Sequence, residues 1–339
     1  MRRYLARRIA LAILIVFSVT LMTFVLSRVV PSDPARLAAG PGASPEQVQI
    51  VRDRFGLDDP LPVQYADYLK NLAQLDLGRS ILTSRSVTDE LRDRLPATIE
   101  LVLVSFAIYV VLGIGLAVIA AGARARWVDH TINVSVIVAN AIPVFILAFW
   151  LQYVLFFQLG WFPAGDRLDS DTAPPPSVTG LYLIDSLLAG DIGLFFQSAY
   201  HLALPVAALV LGMIALAVRV TRATLLGEGQ KDYVRMLTLK GMPRREITGR
   251  HVLRNALVPV LPLLGIQFGY LISATVLVEA IFGWPGIGSY AFDALVALDY
   301  EPVMGFVLIS TITFVLVNLV VDLLYPVIDP RIRLWGAPT

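Results

Sequence analysis

The 339-residue chain is 57% hydrophobic and only 16% charged, with a mean hydropathy of +0.71. Soluble domains carry about 45–50% apolar and about 25% charged residues, so an ordinary water-soluble fold is excluded and lipid must cover much of the apolar surface. A net charge of +1 gives no footprint for nucleic acid, and the absence of cysteine excludes disulfides, thiolate zinc sites and cysteine nucleophiles.

In chain order, the basic head Arg2, Arg3, Arg7 and Arg8 precedes an apolar run from Ile9 to about Val30. A cleavable signal has an apolar core of about 7–15 residues; this run is longer and reads as an uncleaved anchor. The segment Pro31–Pro96 opens on Pro-Ser-Asp-Pro, which cannot continue a helix. Within it, Ser44 suits an N-cap and Pro45 the first helical position. Val48, Val51 and Phe55 give a thin apolar stripe, and Gly56 stops that helix. Pro62 to Leu75 reads as another short helix. The result is a small extracytoplasmic cap, either a spacer between spans or a surface for a partner.

Five more runs are long enough to cross a bilayer: Thr98–Ala121, Thr131–Leu159, Leu202–Val220, Ala256–Phe282 and Val303–Tyr325. The expected fold is therefore an all-α membrane protein with six transmembrane helices. Segment 178–196 contains Asp185 and Asp191 and reads as an interfacial or re-entrant piece. Pro143, Pro205, Pro259 and Pro262 predict kinks, and Gly265 with Gly269 predicts close helix packing. Short loops rich in Lys and Arg face the cytoplasm. Arg2–Arg8, Arg124 with Arg126, the segment Arg219–Arg254, and Arg331 with Arg333 all fall on one side when both termini are cytoplasmic. The loop Gly283–Pro302, with no Lys or Arg, then lies outside.

The cytoplasmic loop 221–255 has a predicted shape. Asp232 to Lys240 reads as a short helix with Tyr233, Met236, Leu237 and Lys240 on one side. Gly241 suits the left-handed residue that closes it, and Pro243 suits the first turn of the next helix, through Arg254. Glu246 and Arg250 are spaced to pair on one face. The segment is either a docking element or a basic anchor at the lipid surface; the Gly-Met-Pro break favours docking, because a lipid anchor needs charge but no fixed turn.

Catalytic signatures are missing. No G-x-x-x-x-G-K-[ST] phosphate loop, H-E-x-x-H pair or G-x-S-x-G elbow occurs. The three histidines, His130, His201 and His251, sit near span ends and read as interfacial residues. Arg28, Glu100, Arg219 and Asp322 lie close to membrane boundaries, where long side chains snorkel. Glu279, just before Phe282-Gly-Trp-Pro-Gly286, either meets water at the outer boundary or lines a translocation path. Pro143, Gln267 and Ser273 are further candidates for that path. These features fit a transporter subunit better than a self-sufficient secondary carrier, which needs midplane charge, or a membrane-embedded enzyme, which needs paired catalytic residues.

Several motifs then carry a resemblance over nearly the whole chain. Phe55-Gly-Leu-Asp-Asp-Pro-Leu-Pro-Val-Gln-Tyr65, Asp76-Leu-Gly-Arg-Ser80, Ala141-Ile-Pro-Val-Phe145, Leu159-Gly-Trp-Phe-Pro163, Asp185-Ser-Leu-Leu-Ala-Gly-Asp191, Phe282-Gly-Trp-Pro-Gly-Ile-Gly288 and Asp329-Pro-Arg-Ile-Arg333 occur in order. Together they resemble the B-type permease subunit of the dipeptide/oligopeptide ABC importers. Asp232 to Gly241 resembles the "EAA" coupling loop of import permeases. The family glycine falls on Gly241, while the Glu-Ala-Ala positions hold Arg235, Met236 and Leu237; Arg250 to Ala256 follows the peptide-permease pattern instead.

What the resemblance implies is a type I, MetI-like permease fold. Residues 1–30 would form the N-terminus and first span, 31–97 the cap, 98–325 a five-helix core, and 326–339 a cytoplasmic tail. The subunit would sit in the bacterial inner membrane, do no chemistry itself, and provide half of a path for di- or oligopeptides. Its partners would be a second permease, an extracytoplasmic substrate-binding protein, and two ATP-binding subunits carrying ATP and Mg. Those ATPases would dock at Asp232, Tyr233, Arg235, Met236, Leu237, Lys240, Gly241, Met242, Pro243 and Arg250. Relatives of this kind also carry nickel complexes, glutathione or sugars.

Overall fold

The computed structural model describes residues 2–29, 36, 42–54, 58–123 and 125–328. The stop at Gly56, the Pro-Ser-Asp-Pro break and the tail from Asp329 lie outside the described residues. The regular elements are helical, with one isolated bridge between Arg79 and Ser86. They are α1 (Arg2–Val29), α2 (Pro45–Arg54), α3 (Leu61–Ala73), α4 (Val87–Gly122), α5 (Arg126–Ala141), α6 (Val144–Leu151), α7 (Tyr182–Leu188) and α8 (Ile192–Gly229). There follow α9 (Asp232–Leu239), α10 (Arg244–Glu246), α11 (Leu253–Ala256), α12 (Val260–Ile281), α13 (Ile287–Val296) and α14 (Tyr300–Ile328). Two wider π turns, Gln152–Gln158 after α6 and Ile247–Val252 between α10 and α11, interrupt the α geometry.

Among the described residues, five helices are apolar and long enough to cross a bilayer: α1, α4, α8, α12 and α14. The sixth expected span is broken. α5 and α6 meet at Ile142–Pro143 with a bend of 98°. The reason is local. Proline removes an N–H and pushes its predecessor out of the helical region, and Ile142 is extended at φ −90°, ψ 124°. The fourth expected span is longer than its apolar run, because α8 begins at Ile192; the earlier part of segment 178–196 holds the short α7.

α4 and α8 run side by side in the same direction and form the spine of the bundle. Gly113 makes this possible: a Cβ there would come within 2.7 Å of the Ala217 methyl. Their shared core includes Leu101, Tyr109, Leu204 and Leu209. α5 and α6 pack on α8, and α12 packs on α8 and α14. The Gly265/Gly269 pair works as expected, since Cβ atoms there would meet Asn318 at 3.1 Å and Phe314 at 2.3 Å. α1 is peripheral and lies along α14, tied by an Arg8–Asp322 ion pair at 2.7 Å.

Between α1 and α4, α2 starts as the sequence predicts. Ser44 Oγ accepts from the Gln47 N–H (3.3 Å) and Gln47 Oε1 accepts from the Ser44 N–H (2.8 Å), a reciprocal capping box with Pro45 at the first position. α3 leans on α1 through rings: Phe24 lies 5.2 Å from Tyr65 and 6.1 Å from Tyr68, centroid to centroid.

Candidate functional site

The two ends of the α4–α8 spine differ in chemistry. At the end where both helices stop, the chain turns back through residues 230–259. α9 closes on a left-handed glycine, Gly241, at φ +78°. The Met242 N–H returns to Leu237 O at 3.2 Å and the Gly241 N–H to Thr238 O at 3.0 Å. These two bonds form a Schellman ending, and they need φ > 0 at the glycine. Pro243 is the N-cap of α10 rather than a residue of its first turn. The expected continuous helix to Arg254 is three pieces: α10, the π turn and α11.

The loop is held to the spine by Ile247, Val252 and Ala256, which pack with Ala117 of α4 and Leu225 of α8; Val234, Leu237 and Met242 add to the same cluster. Tyr233 is half-buried. Its hydroxyl donates to Glu228 (3.2 Å) and accepts from the Asn255 amide (3.3 Å). Burial pushes its phenol above the usual tyrosine range. Asp232, Arg235, Met236, Lys240, Pro243 and Arg250 are exposed. Glu246 and Arg250 pair only loosely, at 3.8 Å. Between this loop and the ends of α4 and α8 runs a groove of about 980 Å³, with Lys231, Arg235, Arg244 and Arg245 on its wall and no carboxylate among its lining residues.

The opposite end is full of buried carboxylates with assigned donors. Glu279 of α12 is completely buried. Its Oε1 accepts from Thr98 Oγ1 at 2.7 Å, and its Oε2 accepts the Gly288 and Ser289 N–H groups at 2.7 and 3.0 Å. It therefore caps the start of α13, where an anion is favoured. Gly286 and Gly288 are required for the approach, because Cβ atoms there would fall 2.3 and 2.7 Å from the same oxygen. Trp284 locks the turn by donating its indole N–H to Ala97 O at 2.9 Å.

Glu100 of α4 repeats this device on another helix. Its Oε1 accepts the Leu183 N–H of α7 (2.7 Å) and its Oε2 receives Arg167 Nη2 (2.6 Å). Arg167 also donates to Gly180 O at 2.9 Å and lies 3.4 Å over the Tyr182 ring. Asp185 of α7 then fixes the turn before it, accepting the N–H groups of Val178, Thr179 and Gly180 and the Thr179 hydroxyl. Burial pushes the Asp185 carboxyl up, but these four donors outweigh burial and hold it below the usual aspartate range.

Three sequence readings change here. Glu279 does not meet water, and with both oxygens taken by protein donors it offers no face to a solute in this conformation. Glu100 is a buried half of an ion pair rather than a snorkelling boundary residue. His201 is likewise buried, with Nδ1 2.8 Å from Gly165 O and Nε2 3.2 Å from Asp169 Oδ1. Of the remaining path candidates, Gln267 is buried and donates to Tyr109 Oη at 3.3 Å, Ser273 is exposed, and Pro143 is exposed at the break between α5 and α6. Sequence reasoning missed the pairing of Thr98 with Glu279, of Glu100 with Arg167, and of Asp185 with the 178–180 turn. The visible signal was the Gly-x-Gly at 286–288 next to a carboxylate.

A bundle of apolar helices around a two-helix spine, with one shaped basic loop at its end, is the architecture of a membrane transport subunit. Residues 92–334 match the model of the binding-protein-dependent transport system inner membrane component, and residues 1–102 match that of its N-terminal region. The chain belongs to this family. It is 40% identical over 336 residues (98% of this chain, 99% of the relative) to the di/tripeptide transport system permease protein DppB of Pseudomonas aeruginosa (strain UCBPP-PA14). It is 40% identical over 324 residues (96% and 95%) to the "Probable D,D-dipeptide transport system permease protein DdpB" of Escherichia coli (strain K12). The dipeptide transport system permease protein DppB of Alkalihalophilus pseudofirmus is 37% identical over 333 residues (98% and 100%). The chain is thus a multi-pass permease subunit of the inner membrane.

Proposed function

We propose that this chain forms half of the translocation path of an ATP-driven importer of di- or oligopeptides. A second, similar permease supplies the other half. Two ATP-binding subunits dock at Asp232–Arg250 from the cytoplasm and carry the ATP and Mg. A substrate-binding protein delivers peptide to the extracytoplasmic side, where the cap 31–97 lies. Both termini are cytoplasmic, following the distribution of Lys and Arg.

The observation that carries this reading is the Schellman-closed α9. It presents Arg235, Met236 and Lys240 outward, while Leu237 and Met242 fasten it to the spine. A push on such a loop moves α4 and α8 rather than bending a flexible tail. The names of the relatives support peptide as cargo.

Reconstitution of the complex in proteoliposomes tests the reading. Uptake of labelled dipeptide should need this chain, ATP and the ATPase subunits together. Transport by this chain alone would sink it. Gly241→Val replaces the left-handed residue at a cost of about 1–2 kcal/mol, and should abolish substrate-stimulated ATPase activity without preventing membrane insertion. Normal stimulation in that variant would remove α9 as the coupling element.

A further inference from the structure

The break between α5 and α6 falls about halfway along α8. Val144, the first residue of α6, sits against Gly212 of α8, where a Cβ would come within 2.5 Å of its side chain. Gly212 is ten residues from Arg222, which pairs with Asp129 at one end of the bundle, and eleven from the buried His201 at the other. At 1.5 Å rise per residue, the break is about 15 Å from each, the midpoint of a hydrocarbon layer about 30 Å thick. The buried Gln267–Tyr109 pair gives the same spine a polar contact of its own.

The break is built, not frayed. α5 is pinned by the two Arg222–Asp129 hydrogen bonds at 2.5 Å. The far end of α6 is pinned by Gln152 Nε2, which donates to Ala164 O (2.7 Å) and Ile281 O (3.2 Å). Between these anchors the backbone is open. No side chain caps the first turn of α6, Pro143 has no N–H, and the Ile142 N–H reaches only Ala139 O, at 3.4 Å. Asn140, Ala141, Ile142 and Pro143 are all exposed.

Lipid cannot cover this surface. Irregular backbone at bilayer depth is tolerated only where protein buries it or water reaches it, and an exposed amide such as Asn140 is expensive against hydrocarbon. A second permease pressed on it would have to supply a matched donor or acceptor for each open group, in every state of a moving interface. Water satisfies them without a match.

Resting on the permease reading above, we propose that Asn140–Val144 forms the water-filled wall of the solute path at the bilayer midplane. α6 is then a half-span whose start borders the path, and Gly212 is the seat on which it turns. The reading adds Asn140 and Ile142 to Pro143 as path residues and excludes Glu279.

The native chain has no cysteine, so single cysteines report without background on this subunit. Asn140→Cys and Ile142→Cys are placed in the assembled complex, with Ile13→Cys, 64% exposed on peripheral α1, as the lipid-facing control. Each is treated with a charged, membrane-impermeant thiosulfonate, with and without ATP plus vanadate and with and without saturating dipeptide. Labelling at 140 and 142 should be at least tenfold faster than at 13 in one nucleotide state, and should slow severalfold with dipeptide. Two positions keep the test alive if one variant fails to assemble. Labelling no faster than the control in both nucleotide states, in complexes that still transport dipeptide, overturns the path assignment and leaves the permease reading standing. Fast labelling that dipeptide does not slow also overturns it, because a wet crevice away from the path would behave in that way.

Discussion

The two ends of the α4–α8 spine use charge in opposite ways. At one end Glu100, Glu279 and Asp185 are buried and consumed by internal donors, so that each fixes the start of a short helix or the turn before it. At the other, Lys231, Arg235, Arg244, Arg245 and Arg250 are exposed, and the pairs they make are short-range or loose. Buried, satisfied charge specifies one geometry and is costly to break. Exposed charge contributes little to the fold and stays available to a partner. The first end is a fixed frame, and the second is a contact surface.

The largest effect should come from breaking the frame. Glu100→Ala strips the Leu183 N–H of its acceptor and leaves Arg167 buried without its carboxylate. It is expected to cost about 3–5 kcal/mol, read as a drop in the melting temperature of the detergent-solubilised complex. A change smaller than that of a surface substitution would mean that Arg167 reaches water and the end is not a sealed frame. Asp185→Asn should cost less, about 1.5–3 kcal/mol, since the amide still accepts from some of the four donors but without charge. Its cost should also depend on pH. The folded protein holds the Asp185 pKa below its unfolded value of about 3.9, so the folded state binds fewer protons. The stabilisation is complete above that value and is lost as pH falls through the lower folded one. Melting measured from about pH 6 down to about pH 3 should show wild type converging on the variant; a constant gap would show that the charge is not what the turn holds. The smallest effect belongs to the contact surface. Arg250→Ala gives up a 3.8 Å pair with Glu246, worth about 0.2–0.5 kcal/mol at most. It should leave melting unchanged while lowering the affinity for the ATPase subunits, measured by co-purification across a salt series.

Much of the fold was legible because its signals are local. Ser44-Pro45 announced α2, and Gly241 announced the end of α9 together with its positive φ. Gly265 and Gly269 announced where α14 comes close. The break at Ile142–Pro143 was only half legible. Pro143 marked a kink, but an apolar run records length and not direction, so 131–159 read as one crossing. The buried network was hardest to see. Glu100 and Arg167 are 67 positions apart, and Glu100 alone read as a charge at a membrane boundary. Only packing α4 against the 165–185 segment turns them into partners.

The Arg8–Asp322 pair joins two residues that are made at different times. The two residues are separated by 314 positions, and at about 5–20 residues per second Arg8 enters the membrane tens of seconds before its partner exists. In that interval α1 has α3 for company, through the Phe24, Tyr65 and Tyr68 rings, but nothing yet along the side that α14 will cover. α1 therefore lacks its packing against α14 and its ion pair until Asp322 has been made.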